Sequence, residues 1–328
     1  MFTLRQYLLA LLDSRGLTRT LGEIDVCRDE QGRPCFSAGN SAAVFRIRLG
    51  GRIRSLRCYL RPMRHLKEIY GQRLLEKELY LHTSPETGVW VDTVLGDWIE
   101  GSTLHETVAQ AAALRDRESL QILVRLFDRL ALALVTDDRA HGDLKPENII
   151  VGDDGTLCPI DFDASYLPAF AGEISPELGT AAYQHPARTA ADFDERIDDY
   201  PAALISTALH ALAEDPTLWD RYGSSDGLLY TPQRIASDPA YRETLALFEK
   251  RGMAVQYRIA QLLTAPTLRL FGLAELLAEA VREKPAARSG TEAETPELFV
   301  ENGRWGYRTA ERVVVAPLYD NGFDFTEG

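Results

Sequence analysis

Apolar and polar positions alternate in two different rhythms along the chain. Near the start, Leu4, Leu8, Leu11 and Leu12 fall on one face of a helix. Farther on the rhythm becomes that of strands. Residues 42–49 and 52–60 flank Gly50-Gly51 and predict a hairpin, because a two-residue turn needs positive φ angles that glycine supplies. A helical stretch over 63–75 is expected next, then strands over 79–82 and 89–95. Beyond Gly101 the period changes. Leu123, Phe127, Leu130 and Leu134 recur as the stripe of one long helix. A short hairpin follows, with strands over 148–151 and 156–160 joined by Gly152-Asp-Asp-Gly155. From 198 to about 282 helical patterns dominate. A β-rich segment carrying one helix thus precedes a helical one.

Composition narrows the classes open to such a chain. Its 328 residues, 45% hydrophobic and 26% charged, suffice for a sizeable core and for two domains. The formal net charge of -13 argues against broad nucleic-acid binding and against adhesion to anionic membranes, although a local basic pocket is compatible with it. No apolar run approaches the roughly 20 residues that span a bilayer. The stretch 7–12 is too short for a signal peptide and ends at Asp13. The expectation is a soluble cytoplasmic protein. Cys27, Cys35, Cys58 and Cys158 form no C-x-x-C pair, and no histidine stands at ligand spacing from them. They are expected to be reduced and mostly buried rather than zinc-bound.

One segment carries concentrated chemistry. Phosphoryl transfer needs positioned metal ions, a group to orient the attacking hydroxyl, and positive charge near the phosphates. The run His141-Gly-Asp-Leu-Lys-Pro-Glu-Asn-Ile149 supplies such groups together. Asp143 can accept a hydrogen bond from a hydroxyl. Lys145 can neutralise charge on a moving phosphoryl group. Asn148 can offer its carbonyl oxygen to magnesium, and Asp161, after the hairpin, can hold a metal that bridges phosphates.

This run resembles the catalytic loop of protein kinases, and Asp161-Phe-Asp163 resembles their metal-binding Asp-Phe-Gly. The resemblance covers roughly 36–282. It implies an α+β, bilobal protein kinase-like fold, with a small β-rich N-lobe at about 20–100 and a helical C-lobe at about 101–282. It also implies ATP and Mg2+ as cofactors. Gly179-Thr-Ala-Ala-Tyr-Gln-His-Pro186 resembles the substrate-facing loop that closes the activation segment. Asp198-Asp-Tyr-Pro-Ala-Ala203 resembles the start of the buried large-lobe helix whose aspartate braces the catalytic loop. Asp97-Trp98, in Asp97-Trp-Ile-Glu-Gly-Ser-Thr-Leu104, resembles the hinge that receives adenine. Lys145 together with Thr180 is closer to serine/threonine kinases than to tyrosine kinases.

Several positions depart from the family. The phosphate-covering loop, Ser37-Ala-Gly-Asn-Ser-Ala-Ala-Val44, keeps a single glycine, so Gly39 and Asn40 are its candidate nucleotide contacts. Arg57 stands where the family has a phosphate-contacting lysine, and that exchange is not conservative because arginine is planar and bidentate. Its helix partner is expected to be Glu68, with Glu76 second. Asp163 replaces a glycine, a position where backbone freedom matters and where aspartate tolerates the left-handed region better than most residues. Gly142 replaces the arginine that pairs with a phosphorylated activation loop in many relatives, so that switch is not expected. Ala187 and Arg188 stand where a glutamate is usual, so a structural ion pair is expected to be missing.

Residues 283–296, rich in Pro, Ala, Ser, Thr and charge, read as a linker. Residues 297–328 resemble a single WG-type β-repeat, with a hairpin signal at Asn302-Gly303 and apolar contacts from Trp305, Tyr307, Tyr319, Phe323 and Phe325. One repeat rarely buries enough surface to stand alone, so it is expected either to continue into further repeats or to dock on the helical lobe. A protein partner could bind through it. The leading functional expectation is a kinase acting on a protein serine or threonine, with no nucleic-acid or membrane partner. Arg57, the glycine-poor loop and Asp163 motivate a second reading, a pseudokinase that binds nucleotide as a scaffold. A small-molecule kinase is a third, against which the 179–186 segment argues.

Overall fold

The computed structural model describes residues 1–282 and the three strands Glu297–Glu301, Arg304–Arg308 and Val313–Tyr319. The chain divides into two compact units. One comprises Met1–Ile99 with Asp161–Leu167, the other Glu100–Ile160 with Pro168–Gly328.

The first unit is built on an antiparallel sheet. Its strands are β1 (Asp25–Val26), β2 (Phe36–Ala38), β3 (Ala42–Leu49), β4 (Arg52–Tyr59), β5 (Leu74–His82) and β6 (Gly88–Asp97), and its helices are α1 (Leu4–Leu12) and α2 (Leu66–Tyr70). The order is β1-β3-β4-β6-β5, with β2 also paired to β3. The β3–β4 hairpin forms as its sequence predicts. Leu49 faces Arg52 across Gly50-Gly51, whose φ angles of 55° and 80° leave little choice but glycine. Alternation along the strands sends Phe45, Ile47, Leu56, Cys58, Leu79 and Leu81 to one core, which α1 covers with Tyr7, Ala10 and Leu11. A capping box between Thr3 and Gln6 starts that helix. Leu12, expected on the buried face, is exposed, because Tyr7, Ala10 and Leu11 define a face rotated from it. Burial pushes the Cys58 thiol far up. Of the four free cysteines only Cys58 is buried; the others are half-buried.

The other face of the sheet matters for chemistry. There Ala42, Tyr59, Tyr70 and Val94 form a second apolar cluster, joined by Leu66, Ile69, Leu74 and Phe162. The helix expected over 63–75 is much shorter. Gly71, at φ 52°, ends α2, the 3-10 turn Gly71–Arg73 follows, and Leu74 already pairs with Val94 in the sheet. Sheet pairing has overridden the helical preference of Leu74 and Leu75. Glu78 on β5 is buried and accepts hydrogen bonds from the backbone N–H groups of Arg19, Thr20 and Leu21 and from the Thr20 hydroxyl. Residues before position 20 are therefore tied into this unit.

The second unit begins with β7 (Gly101–Thr103), α3 (Leu104–Ala113) and α4 (Arg117–Thr136). Strands β8 (Ile149–Gly152) and β9 (Leu157–Pro159) form the expected short hairpin and join β7 in a three-stranded sheet. Helices α5 (Asp199–Glu214), α6 (Leu218–Tyr222), α7 (Pro239–Arg251), α8 (Ala254–Leu262) and α9 (Leu273–Arg282) follow. The long-helix stripe is present in α4. Leu123 and Phe127 are buried there, while Leu130 and Leu134 are partly so. Helix α5 is buried on nearly every side, as an all-round apolar helix must be. Its polar groups are answered: Asp128 of α4 accepts from the Ser206 hydroxyl at 2.6 Å and contacts His210 Nε2 at 2.8 Å.

Strands β10 (Glu297–Glu301), β11 (Arg304–Arg308) and β12 (Val313–Tyr319) make an antiparallel meander in which Glu301 stands opposite Arg304. Any β-meander gives three such strands, and they do not identify a WG repeat. The linker residues 283–296, Asn302-Gly303, Phe323 and Phe325 lie outside the described residues. Among the described residues no helix is long and apolar enough to cross a membrane. The architecture is mixed, with a β-rich unit and a helix-rich one, and is compatible with a kinase-like fold.

Candidate active site

In the second unit, the segment after α4 is fixed by buried polar groups rather than by regular structure. His141 is 2% exposed. Its Nε2–H donates to the Ile160 carbonyl at 2.7 Å, and its Nδ1 accepts from the Asp143 N–H at 3.3 Å. Asp198, just before α5, is 1% exposed and accepts the backbone N–H groups of both His141 and Gly142. Burial pushes its carboxyl up, while His141 and these two donors oppose the shift. Gly142 itself takes φ 80°, which lets the chain turn between them.

Asp143 is thereby held with its carboxylate in a network. Oδ1 accepts the Thr180 N–H at 2.5 Å, and Oδ2 accepts the Asn148 amide at 3.1 Å. Lys145 Nζ lies 3.5 Å from Oδ2 and donates to the Thr180 hydroxyl at 2.8 Å. The Asn148 side-chain nitrogen also donates to the Asp143 carbonyl at 2.9 Å, so its carbonyl oxygen is the atom turned to other partners. Gly179 permits the close approach of Thr180. At φ 72°, a Cβ there would meet the Gly142 carbonyl at 2.7 Å and Asp143 Oδ1 at 3.0 Å. Arg188 donates from Nη1 to the Gly142 carbonyl at 3.2 Å and also to Gln184 Oε1. Burial lowers its pKa, with Asp198 and Asp143 pulling the other way.

In the first unit the chemistry gathers on Arg57, which β4 places on the face shared with Tyr59 and Tyr70. Its Nε donates to Asp163 Oδ2 at 3.0 Å and its Nη2 to the same oxygen at 2.6 Å. Nη2 also pairs with Asp161 Oδ1. The Tyr70 hydroxyl donates to Asp163 Oδ1 at 2.6 Å and the Tyr59 hydroxyl to it at 3.1 Å. Burial alone would lower the Arg57 pKa, but the facing Asp161 and Asp163 carboxylates outweigh it and raise it. Burial raises both phenols, with Asp163 adding to it and the Arg57 charge opposing it, so Tyr59 and Tyr70 remain donors.

The sequence-level partners of Arg57 are not its partners here. Glu68 is exposed on α2, and Glu76 pairs instead with Lys67 at 3.5 Å. The short α2 offers its buried side to the cluster through Tyr70, and so no helix carboxylate reaches the arginine. The backbone strain expected at Asp163 falls on Asp161, at φ 69°, whereas Asp163 lies inside the 3-10 turn Phe162–Ala164 and is 3% exposed. Gly39 and Asn40 are exposed in the tight β2–β3 connection, closed by the Gly39 N–H on the Ala42 carbonyl at 2.9 Å. A Cβ at Gly39 would find only Ala42 O, at 4.0 Å, so no contact demands glycine there. Asp97 ends β6 beside Arg54 Nε at 3.3 Å, and the Arg46 guanidinium lies 5.7 Å from the Trp98 ring centre. Tyr59, Tyr70 and the pairing role of Asp163 were missed from sequence. No spacing could reveal them, since 93 to 106 residues separate Asp163 from its donors.

Magnesium is commonly held by one or two protein oxygens together with substrate phosphates. In the second unit Asn148 Oδ1 is a hard oxygen of that kind, and in the first unit so is the second oxygen of Asp161, whose side chain is 39% exposed.

Comparison with known proteins points the same way. No family model matches the chain. Over 172 residues, 50% of this chain, it is 28% identical to CBL-interacting protein kinase 17 of Oryza sativa subsp. japonica, covering 35% of that protein. Over 113 residues, 33% of this chain, it is 34% identical to serine/threonine-protein kinase PknL of Mycobacterium tuberculosis, covering 27% of that protein, and equally to PknL of Mycobacterium bovis. The chain thus spans about a third of the length of the curated relatives it matches. These distant similarities support a protein kinase-like domain.

Proposed function

We propose that this chain is an ATP- and magnesium-dependent phosphotransferase that moves the γ-phosphoryl group to a serine or threonine hydroxyl of a protein. The observation that carries the reading is the Asp143 network. Its carboxylate is fixed by the Thr180 N–H and the Asn148 amide, with Lys145 at 3.5 Å, which is the arrangement of a group that orients a hydroxyl beside a neutralising cation. Asp143 accepts the hydroxyl proton's hydrogen bond, and Lys145 offsets charge on the transferred group. Asn148 and Asp161 offer hard oxygens to magnesium, which when bound would neutralise phosphate charge. Arg57 offers charge to phosphate oxygens.

A specific contact favours the second reading, a nucleotide-binding scaffold: Asp161 is already engaged by Arg57. Transfer of radiolabelled phosphate from ATP to the protein itself and to protein panels separates the two. Transfer that Asp143→Ala abolishes supports the enzyme. MgATP binding without any transfer above that of Asp143→Ala supports the scaffold. Consumption of a small metabolite with unlabelled proteins would point to a small-molecule kinase.

A further inference from the structure

We propose that Asp163 is the positioning carboxylate for Arg57, held in that role by Tyr59 and Tyr70 in place of a helix glutamate. This rests on the phosphotransferase reading. A cationic side chain aims its charge usefully only if it cannot wander, and arginine does so when two of its N–H groups meet one fixed acceptor. Asp163 is such an acceptor. Oδ2 takes Nε and Nη2 of Arg57, and Oδ1 takes both phenols. At 3% exposure, little water competes for it.

The neighbouring aspartate is built for a different task. Asp161 shares Nη2 of Arg57 through Oδ1 only, and its side chain is 39% exposed. Two acids two residues apart thus divide the labour: Asp163 anchors the arginine, and Asp161 keeps an oxygen for a cation. The guanidinium has five N–H groups, of which Nε and Nη2 hold three. The two on Nη1 have no partner among the described residues, and these are the donors offered to a phosphate oxygen. Helix α2 reaches the arginine only through the Tyr70 phenol on a shared carboxylate. Neither Glu68 nor Glu76 is needed to close the pair.

The test uses the full chain in two arms. In the first, the solvent-exchange rate of the Arg57 Nε–H proton is measured by NMR without nucleotide. Asp163→Asn is expected to speed exchange by about tenfold or more, Tyr70→Phe by a smaller factor, and Glu68→Gln to leave it as in wild type. In the second, MgATP is titrated. Asp163→Asn is expected to weaken binding about tenfold, and adding Arg57→Met to weaken it no further, since both changes break one unit. If Asp163→Asn does not fold, the Tyr59→Phe/Tyr70→Phe protein, which keeps the charge, carries the same expectation of faster exchange. Retained Nε–H protection in these variants, its loss in Glu68→Gln, or additive losses of MgATP affinity would each overturn the proposal. Failure of the wild type to bind MgATP would sink the phosphotransferase reading instead, and the exchange arm would still decide the role of Asp163.

Discussion

Around Asp143, the acid, its cation and its amide all come from the short run between His141 and Asn148, with Thr180 and Asp198 closing it from outside. Around Arg57, the partners come from β4, from α2 and from the turn after β9, and the chain between them is about a hundred residues long. Both are networks of charge-assisted hydrogen bonds, but covalent geometry pre-arranges the first and packing must assemble the second. Loop closure favours the first only modestly, because the entropy of closure grows with the logarithm of length. The larger contrast is burial. The Arg57–Asp163 pair sits among Tyr59, Tyr70 and Phe162, whereas the Asp143 carboxylate is 17% exposed. Damage to the first should therefore appear as lost chemistry, and damage to the second as lost stability as well.

The sharpest break of that contrast is Asp143→Ala. It is expected to reduce phosphate transfer by about 10²- to 10⁴-fold, the range for loss of a general acid–base group, with little change in melting temperature. Transfer at wild-type rates would remove the loop from the chemistry. Next comes Arg57→Met, which leaves Asp163 buried without its cation. It is expected to destabilise the protein by about 3–5 kcal/mol in chemical denaturation, as well as to weaken MgATP binding. A stability loss in Asp143→Ala matching that of Arg57→Met would erase the distinction.

A third prediction concerns the buried face of α5, next to the brace Asp198. Burial raises the Asp199 carboxyl from 3.8 to about 7, partly opposed by the Leu270 N–H at 3.3 Å. An acid whose folded pKa is raised favours the fold in its protonated form. Its contribution is complete below the unfolded value and is lost as pH rises through the folded one. Stability should fall between about pH 4 and pH 7, by a few kcal/mol at most, and level off above. Asp199→Asn should flatten that slope, which urea titrations across the range would read. The smallest expected effect is Tyr59→Phe, which removes the longer of the two phenol bonds to Asp163 and should cost about 1 kcal/mol.

How much was legible in the sequence follows the same division. The β3–β4 hairpin, the α4 stripe and the Asp143 loop are encoded by neighbours a few residues apart, and each is found where its pattern puts it. The partner of Arg57 was misread because Glu68 and Glu76 sat in a segment whose apolar rhythm fits a helix equally well as a strand. Gly71 ends the helix early, which leaves Glu68 on the exposed side of α2 and puts Glu76 on β5, whose pairing begins at Leu74 with Val94. A buried aspartate linked to two tyrosines far along the chain leaves no periodic trace at all. Asp198 lay between these cases. Its resemblance to the bracing aspartate of the family implied the role, but only the folded chain shows its two oxygens on the His141 and Gly142 amides.

The thiol of Cys58 sits one residue beyond Arg57 on β4, wholly buried and held in its neutral form. A neutral, covered thiol does not react with alkylating reagents, so it can be labelled only when the strand carrying Arg57 opens. The protein therefore contains its own clock for that event. The rate at which iodoacetamide adds mass to Cys58, compared with the half-buried Cys27, Cys35 and Cys158, would time the opening of the sheet behind the arginine.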